Sequence, residues 1–170
     1  VTSLGCGFAC TYCHIAGEGE DSISGPIGRY RVKSDERVIA ELEELKRLGV
    51  THVYLEDDML FGYKERALRL LQKIQDAGVE ISDVNGLNVI HMFRRTGHGR
   101  NYAPDERVVE ALARAHFRDI VLAFESATPR IIRQYATNKW DPEHMDIAKL
   151  IRLIKKYDLK VGGNYMLGYP

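Results

Sequence analysis

Residues 1–20 read VTSLGCGFACTYCHIAGEGE, and the fold turns on the segment CGFACTYC (6–13) inside them. All three cysteines of the chain, Cys6, Cys10 and Cys13, fall in this one window. Gly5, Gly7 and the polar neighbours mark it as a loop, and VTSL (1–4) before it reads as a brief β-strand. Three uses of the thiols stand open: buried structural cysteines, zinc ligands together with His14, or ligands of an iron–sulfur cluster. Only Cys10 and Cys13 stand at C-x2-C spacing, without the second pair of a zinc site, and His14 directly after Cys13 strains tetrahedral closure. A [4Fe-4S] cluster is usually held by four cysteines, so three leave one iron open to a substrate or cofactor.

Outward from this loop, 170 residues suit one compact domain with a sizeable core. A hydrophobic content of 45% and a charged content of 28% are those of an ordinary globular chain. The formal net charge of zero advertises no nucleic-acid or membrane surface. No apolar run approaches the roughly 18 residues of a membrane-spanning helix, and no signal peptide is visible. Clustered cysteines in odd number do not make a secreted disulfide framework, so a reducing cytoplasm is the expected location.

Downstream, short apolar runs alternate with helical patterns. SDERVIAELEELKRLG (34–49) and KERALRLLQKIQDAG (64–78) space their apolar residues as amphipathic helices closed by glycine, the first with Ser34 as N-cap. Further helices are expected over 103–117, 128–137 and 141–158, with Pro104–Asp105, Pro129 and Asp141–Pro142 near their starts. Strands are expected over 1–4, 50–56, 81–88, 119–126 and 159–168. Five strands alternating with helices are the βα pattern of a parallel sheet covered by helices. The irregular stretches 14–33 and 90–103 read as loops, and RRTGHGRN (94–101) as a basic, glycine-rich solvent loop or a cover for a substrate phosphate or carboxylate. The abrupt ends suggest a fragment of a longer protein, incomplete at its C-terminus.

The C-x3-C-x2-C loop after the first strand of a βα chain resembles the signature of the radical S-adenosylmethionine (radical SAM) superfamily. The resemblance implies an α/β fold, a partial (β/α)6 TIM-like barrel with about five βα units present. It implies a [4Fe-4S] cluster on Cys6, Cys10 and Cys13, whose fourth iron is chelated by S-adenosyl-L-methionine. The implied reaction is reductive cleavage of that cofactor to a 5′-deoxyadenosyl radical, with an electron donor of flavodoxin or ferredoxin type.

Active sites of parallel barrels lie at the C-terminal ends of the strands, and those ends are polar here. Among them, Glu56 and Asp57 of LEDDM are implied to lie beside the methionyl amino group, with Asn88 at the end of the third strand. Glu125 and Ser126 are implied at the ribose or methionyl end, Lys139 (or Arg133) at the carboxylate, Tyr12 beside the cofactor, and Gly163 with Gly162 where adenine approaches the backbone. Simpler uses exist for each: helix capping for Asp58 and Ser126, loop packing for Tyr12, a surface position for Lys139, a strand irregularity for the glycines.

LEDDMLF and FESATPRIIRQY resemble the cobalamin-binding subgroup, which adds cobalamin as a further cofactor and radical methylation beside hydrogen abstraction. No D-x-H-x-x-G cobalamin loop is present in these residues. The substrate, a small molecule or a peptide, stays open. The competing function is a non-catalytic zinc- or iron–sulfur-binding interaction module.

Overall fold

A computed structural model describes residues 1–18, 21–136 and 138–169. Its centre is a parallel sheet of β3 (His52–Leu55), β4 (Glu80–Asp83), β5 (Leu87–Asn88), β8 (Phe117–Glu125) and β9 (Lys160–Tyr165). Register shows how these strands lie. Asp119 of β8 pairs with both Ser82 and Lys160, and Leu122 pairs with both Leu87 and Gly163. A strand has two edges, so β4 and β5 follow one another along one edge of β8 while β9 occupies the other. The sheet is open, with four strand positions.

The strand expected over 81–88 is thus two short strands. Asn85 and Gly86 interrupt it, and Gly86 has φ +93°, a turn conformation that breaks the ladder. The strand expected at 1–4 is β1 (Ser3–Leu4), which pairs antiparallel with β2 (Arg31–Val32) and lies outside the parallel sheet. The backbone N–H groups of Thr2 and Ser3 go to the side chain of Asp57.

The helices follow from capping and periodicity. In α2 (Asp35–Arg47) the Ser34 side chain accepts from the N–H of Arg37, as its sequence position implied. α3 (Lys64–Ala77) ends on Gly78 in the left-handed conformation. α4 (Glu106–Arg114) and α5 (Pro129–Tyr135) lie inside their expected ranges. α6 is shorter than expected, Ile147–Lys156, because Asp146 rather than Asp141 caps it, through the N–H of Lys149. Leu70, Leu71 and Ile74 of α3, Leu112 of α4 and Leu150 and Ile154 of α6 are fully buried with Ile81, Ile120 and Leu122 of the sheet.

Both long irregular stretches carry structure. Residues 14–33 contain α1 (His14–Gly17) and β2. Residues 90–103 contain a 3-10 turn (Val89–Met92) and a hairpin of β6 (Phe93–Arg95) and β7 (Tyr102–Pro104). The buried Met92 and Phe93 anchor that hairpin, a long-range effect that its polar, glycine-rich tip conceals.

Candidate functional site

The cysteine loop is held from its N-terminal side by the end of β3. Asp57 is 3% exposed. Its carboxylate accepts from the backbone N–H groups of Thr2 and Ser3 and from both hydroxyls, at 2.6–3.1 Å. Asp58 accepts from the N–H of Gly5 at 2.8 Å, and the carbonyl of Gly28 accepts from Cys6 at 3.1 Å. Gly5 has φ +81°, and a Cβ there would stand 2.5 Å from the carbonyl oxygen of Arg29. Only glycine makes that turn against that neighbour. On the far side Thr11 donates to the carbonyl of Tyr135 at 3.0 Å, and Phe8 packs on His91 with ring centroids 5.7 Å apart.

So braced, Cys6, Cys10 and Cys13 line one cavity of about 140 Å³ with Phe8, Tyr12, Asp58, Asn85 and Lys139. His14 is exposed and is not part of its wall. The three thiols do not gather within 4.8 Å of one another. A single tetrahedral zinc needs sulfurs roughly 4 Å apart, whereas a cluster spreads its ligands over several irons. The donor set therefore suits a multi-iron cluster better than one ion.

Burial pushes the thiols of Cys6 and Cys10 up, while the Lys139 ammonium pulls both down. Bound iron would favour the thiolates outright. Burial also pushes the Tyr12 phenol up, with Cys10 and Glu125 adding to the effect. Its hydroxyl points toward Cys10 and Glu125 yet makes no hydrogen bond of ordinary geometry. A buried polar atom without a partner, on the wall of a cavity, is where a bound group is expected to supply one.

Glu125 ends β8 and has φ +62°. The N–H of Ser126 donates to the carbonyl of Phe124 at 2.7 Å, closing a tight turn around Glu125. Left-handed backbone at a non-glycine residue costs of order 1–3 kcal/mol. Here it accompanies a break in the β8–β9 register and an ion pair between the Glu125 carboxylate and Lys139, at 2.5 Å.

The structure thus brings Tyr12, Lys139 and Glu125 to the cysteines. The expected residues scatter otherwise. Asp57 is engaged with β1, and its neighbour Asp58 faces the cavity. Glu56 is exposed beside it. Asn88 is buried in β5 opposite Ala123, and Asn85 lines the cavity instead. The Ser126 hydroxyl accepts from Thr128 ahead of α5. A Cβ on Gly163 would stand 2.9 Å from the Phe124 ring, so packing alone requires glycine there; at Gly162 only Val121 would lie nearby, at 4.0 Å. Arg133 pairs with Glu143 rather than facing the cysteines.

Two features escaped the sequence reading. Asp83 ends β4 nearly buried, with one carboxylate oxygen unpartnered, and burial pushes its carboxyl up to about 7 despite the nearby N–H groups of Val121 and Gly86. An acid at a strand end, two residues ahead of the Asn85-Gly86 turn, was its visible signal. His144, scattered in sequence from the other histidines, brings a ligand atom within 4.8 Å of Asp141 and Glu143. Arg100 and Arg133 already face those two carboxylates, at 3.6 and 3.0 Å.

No curated protein matches this sequence. Among solved structures, the radical S-adenosylmethionine methyltransferase TsrM from Kitasatospora setae, with cobalamin and a [4Fe-4S] cluster bound, aligns at TM-score 0.71 and 18% identity. The alignment covers 99% of this chain and 30% of TsrM. OxsB, a cobalamin-dependent S-adenosylmethionine radical enzyme with aqua-cobalamin bound, aligns at TM-score 0.71 and 18% identity, over 98% of this chain and 23% of its own. The chain thus spans less than a third of these structures, and the likeness establishes a partial, unclosed barrel fold. The family model of the radical SAM superfamily matches residues 1–170, and with the three cysteines on one cavity at the strand ends, the chain belongs to the radical SAM superfamily.

Proposed function

We propose that this chain is the core of a radical SAM enzyme, with Cys6, Cys10 and Cys13 as ligands of a [4Fe-4S] cluster that leaves one iron to S-adenosyl-L-methionine. When bound, the two cofactors supply a 5′-deoxyadenosyl radical for hydrogen abstraction or radical methylation of a substrate. One observation carries the reading: three thiols, an unpartnered Tyr12 hydroxyl and the Lys139 ammonium converge on a single cavity.

The chain's own residues have these roles. The three thiolates bind iron. Lys139 offers a cation to the cofactor carboxylate, and Glu125 holds that cation in place and accepts from an ammonium or a ribose hydroxyl. Tyr12 and Phe8 wall the cavity with rings and exclude water. Asp58 presents a carboxylate on the side of β3, with Glu56 beside it.

The likeness to TsrM and OxsB supports cobalamin as a further cofactor, and that to TsrM supports methyl transfer as the outcome. The substrate is a small molecule or a peptide, and a flavodoxin or ferredoxin type protein supplies the electron. Among the described residues no helix is long and apolar enough to cross a membrane.

The test is anaerobic reconstitution followed by metal analysis and incubation with S-adenosyl-L-methionine and dithionite. About four irons and four sulfides per chain are expected, with 5′-deoxyadenosine as product. One zinc and no iron would overturn the reading in favour of an interaction module.

A further inference from the structure

A second cleft, of about 250 Å³, lies behind Lys139. No residue that lines it lines the cysteine cavity. The two are separated by the backbone around Lys139: its side chain enters the cysteine cavity, while Asn138 and Trp140 on either side of it line the cleft. Ile90, which also lines the cleft, donates its N–H to the carbonyl of Lys139 at 2.9 Å.

Three guanidiniums reach this cleft from separate elements: Arg95 from β6, Arg100 from the hairpin tip and Arg133 from α5. One carboxylate, that of Asp141, shares the lining. Arg100 meets Asp141 at 3.6 Å, and Arg133 meets Glu143 at 3.0 Å. The Arg133–Glu143 pair is largely exposed and worth about 0–1 kcal/mol, and in the long Arg100–Asp141 pair the guanidinium is largely exposed while the carboxylate is 21% exposed. Among the described residues Arg95 has no carboxylate within ion-pair distance; its guanidinium carbon lies 6.0 Å from the Tyr102 ring centroid. The floor is apolar, with Trp140 and Met145 8% and 4% exposed, beside Ile90 and Ile132.

We propose that this cleft binds a small phosphomonoester, with its phosphate on Arg95 and Arg100 and its organic body on the Trp140 floor. A carboxylate ligand would only exchange one monoanion for another at Arg100. A phosphate dianion presents enough oxygens to engage two planar forks at once, and it satisfies Arg95, which no acid side chain among the described residues reaches. The hairpin that sequence alone reads as a solvent loop or a cover for a substrate phosphate or carboxylate is then the wall of a site, anchored by the buried Met92 and Phe93.

The experiment is calorimetric titration of the full-length protein with phenyl phosphate at constant ionic strength, with benzoate as comparison. Saturable one-to-one binding is expected, at least tenfold tighter than benzoate. The Arg95→Ala/Arg100→Ala variant should bind phenyl phosphate at least tenfold more weakly, with unchanged circular dichroism and iron content. Arg95→Lys/Arg100→Lys should recover part of the loss, because the charge returns without the fork. Arg114→Ala, on the groove between α3 and α4, should bind as wild type. Equal binding by wild type and the double alanine variant, benzoate binding as tight as phenyl phosphate, or response only to an acidic protein would each overturn the proposal. Iron content is read independently, so failure here leaves the cluster assignment standing or falling on its own test.

Discussion

Lys139 Nζ lies 2.5 Å from Glu125 Oε1, and the two side chains are only 14% and 10% exposed. A nearly buried pair of this kind is costly to break by removing one partner, since the other charge is left uncompensated.

Glu125→Ala removes the acceptor and releases Lys139. A charge-assisted hydrogen bond is worth roughly 1.5–3 kcal/mol, so affinity for S-adenosyl-L-methionine should fall about ten- to a hundredfold. Iron content should not change. Lys139→Met should weaken binding as well, and the double variant should lose less than the two single losses added together. Equal affinity in wild type and Glu125→Ala would remove the end of β8 from the site.

Replacing any one of Cys6, Cys10 or Cys13 by Ala should abolish the visible iron–sulfur absorption, because all three thiols share one cavity. His14→Ala should retain full iron content, since His14 is exposed and off the cavity wall. Loss of the cluster in that variant would favour a closed four-ligand site.

Asp57→Ala should destabilise the fold by about 3–5 kcal/mol, because it strands the buried N–H groups and hydroxyls of Thr2 and Ser3. Urea unfolding gives the value. β1 leads directly into the cysteine loop, so iron retention should fall with it. A loss below about 1 kcal/mol would show that β1 is held by other contacts.

Asp83 sets a pH dependence. Its folded-state carboxyl titrates near 7, whereas an unfolded aspartate titrates at about 3.9. Between these values the folded protein holds a proton that the unfolded chain has released, so stability falls as pH rises through the window. The full cost, of order 4 kcal/mol, is reached above about pH 7. Asp83→Asn removes this term. Its stability relative to wild type should therefore improve steadily from about pH 4 to pH 8, as read from urea unfolding at each pH. Parallel pH profiles for the two proteins would refute the assignment.

Much of this was legible locally. The amphipathic repeats of α2 and α3, their glycine stops and the Ser34 cap depend on contacts within a few residues, and the structure reproduces them. The α6 boundary was misplaced because Asp141 and Asp146 offer similar capping chemistry, and Met145 is buried ahead of the helix. The split of β4 from β5 was missed because Ile81, Val84 and Leu87 recur through 81–88 without a decisive local stop, while the break depends on how the two halves meet one edge of β8 in turn.

The sequence by itself determined that Cys6, Cys10 and Cys13 share one loop, since their spacing is a covalent property of the chain, and it determined the βα order, since hydrophobic periodicity is local. Only the tertiary structure decided which polar strand ends reach that loop. Asp57 and Asp58 are adjacent in sequence, yet one is sealed under β1 and the other faces the thiols. Lys139 stands fourteen residues from Glu125 and becomes its partner because α5 returns the chain over the end of β8. Side-chain direction at a strand end, and the burial that makes a charge costly there, depend on elements distant in the chain, which no local pattern encodes.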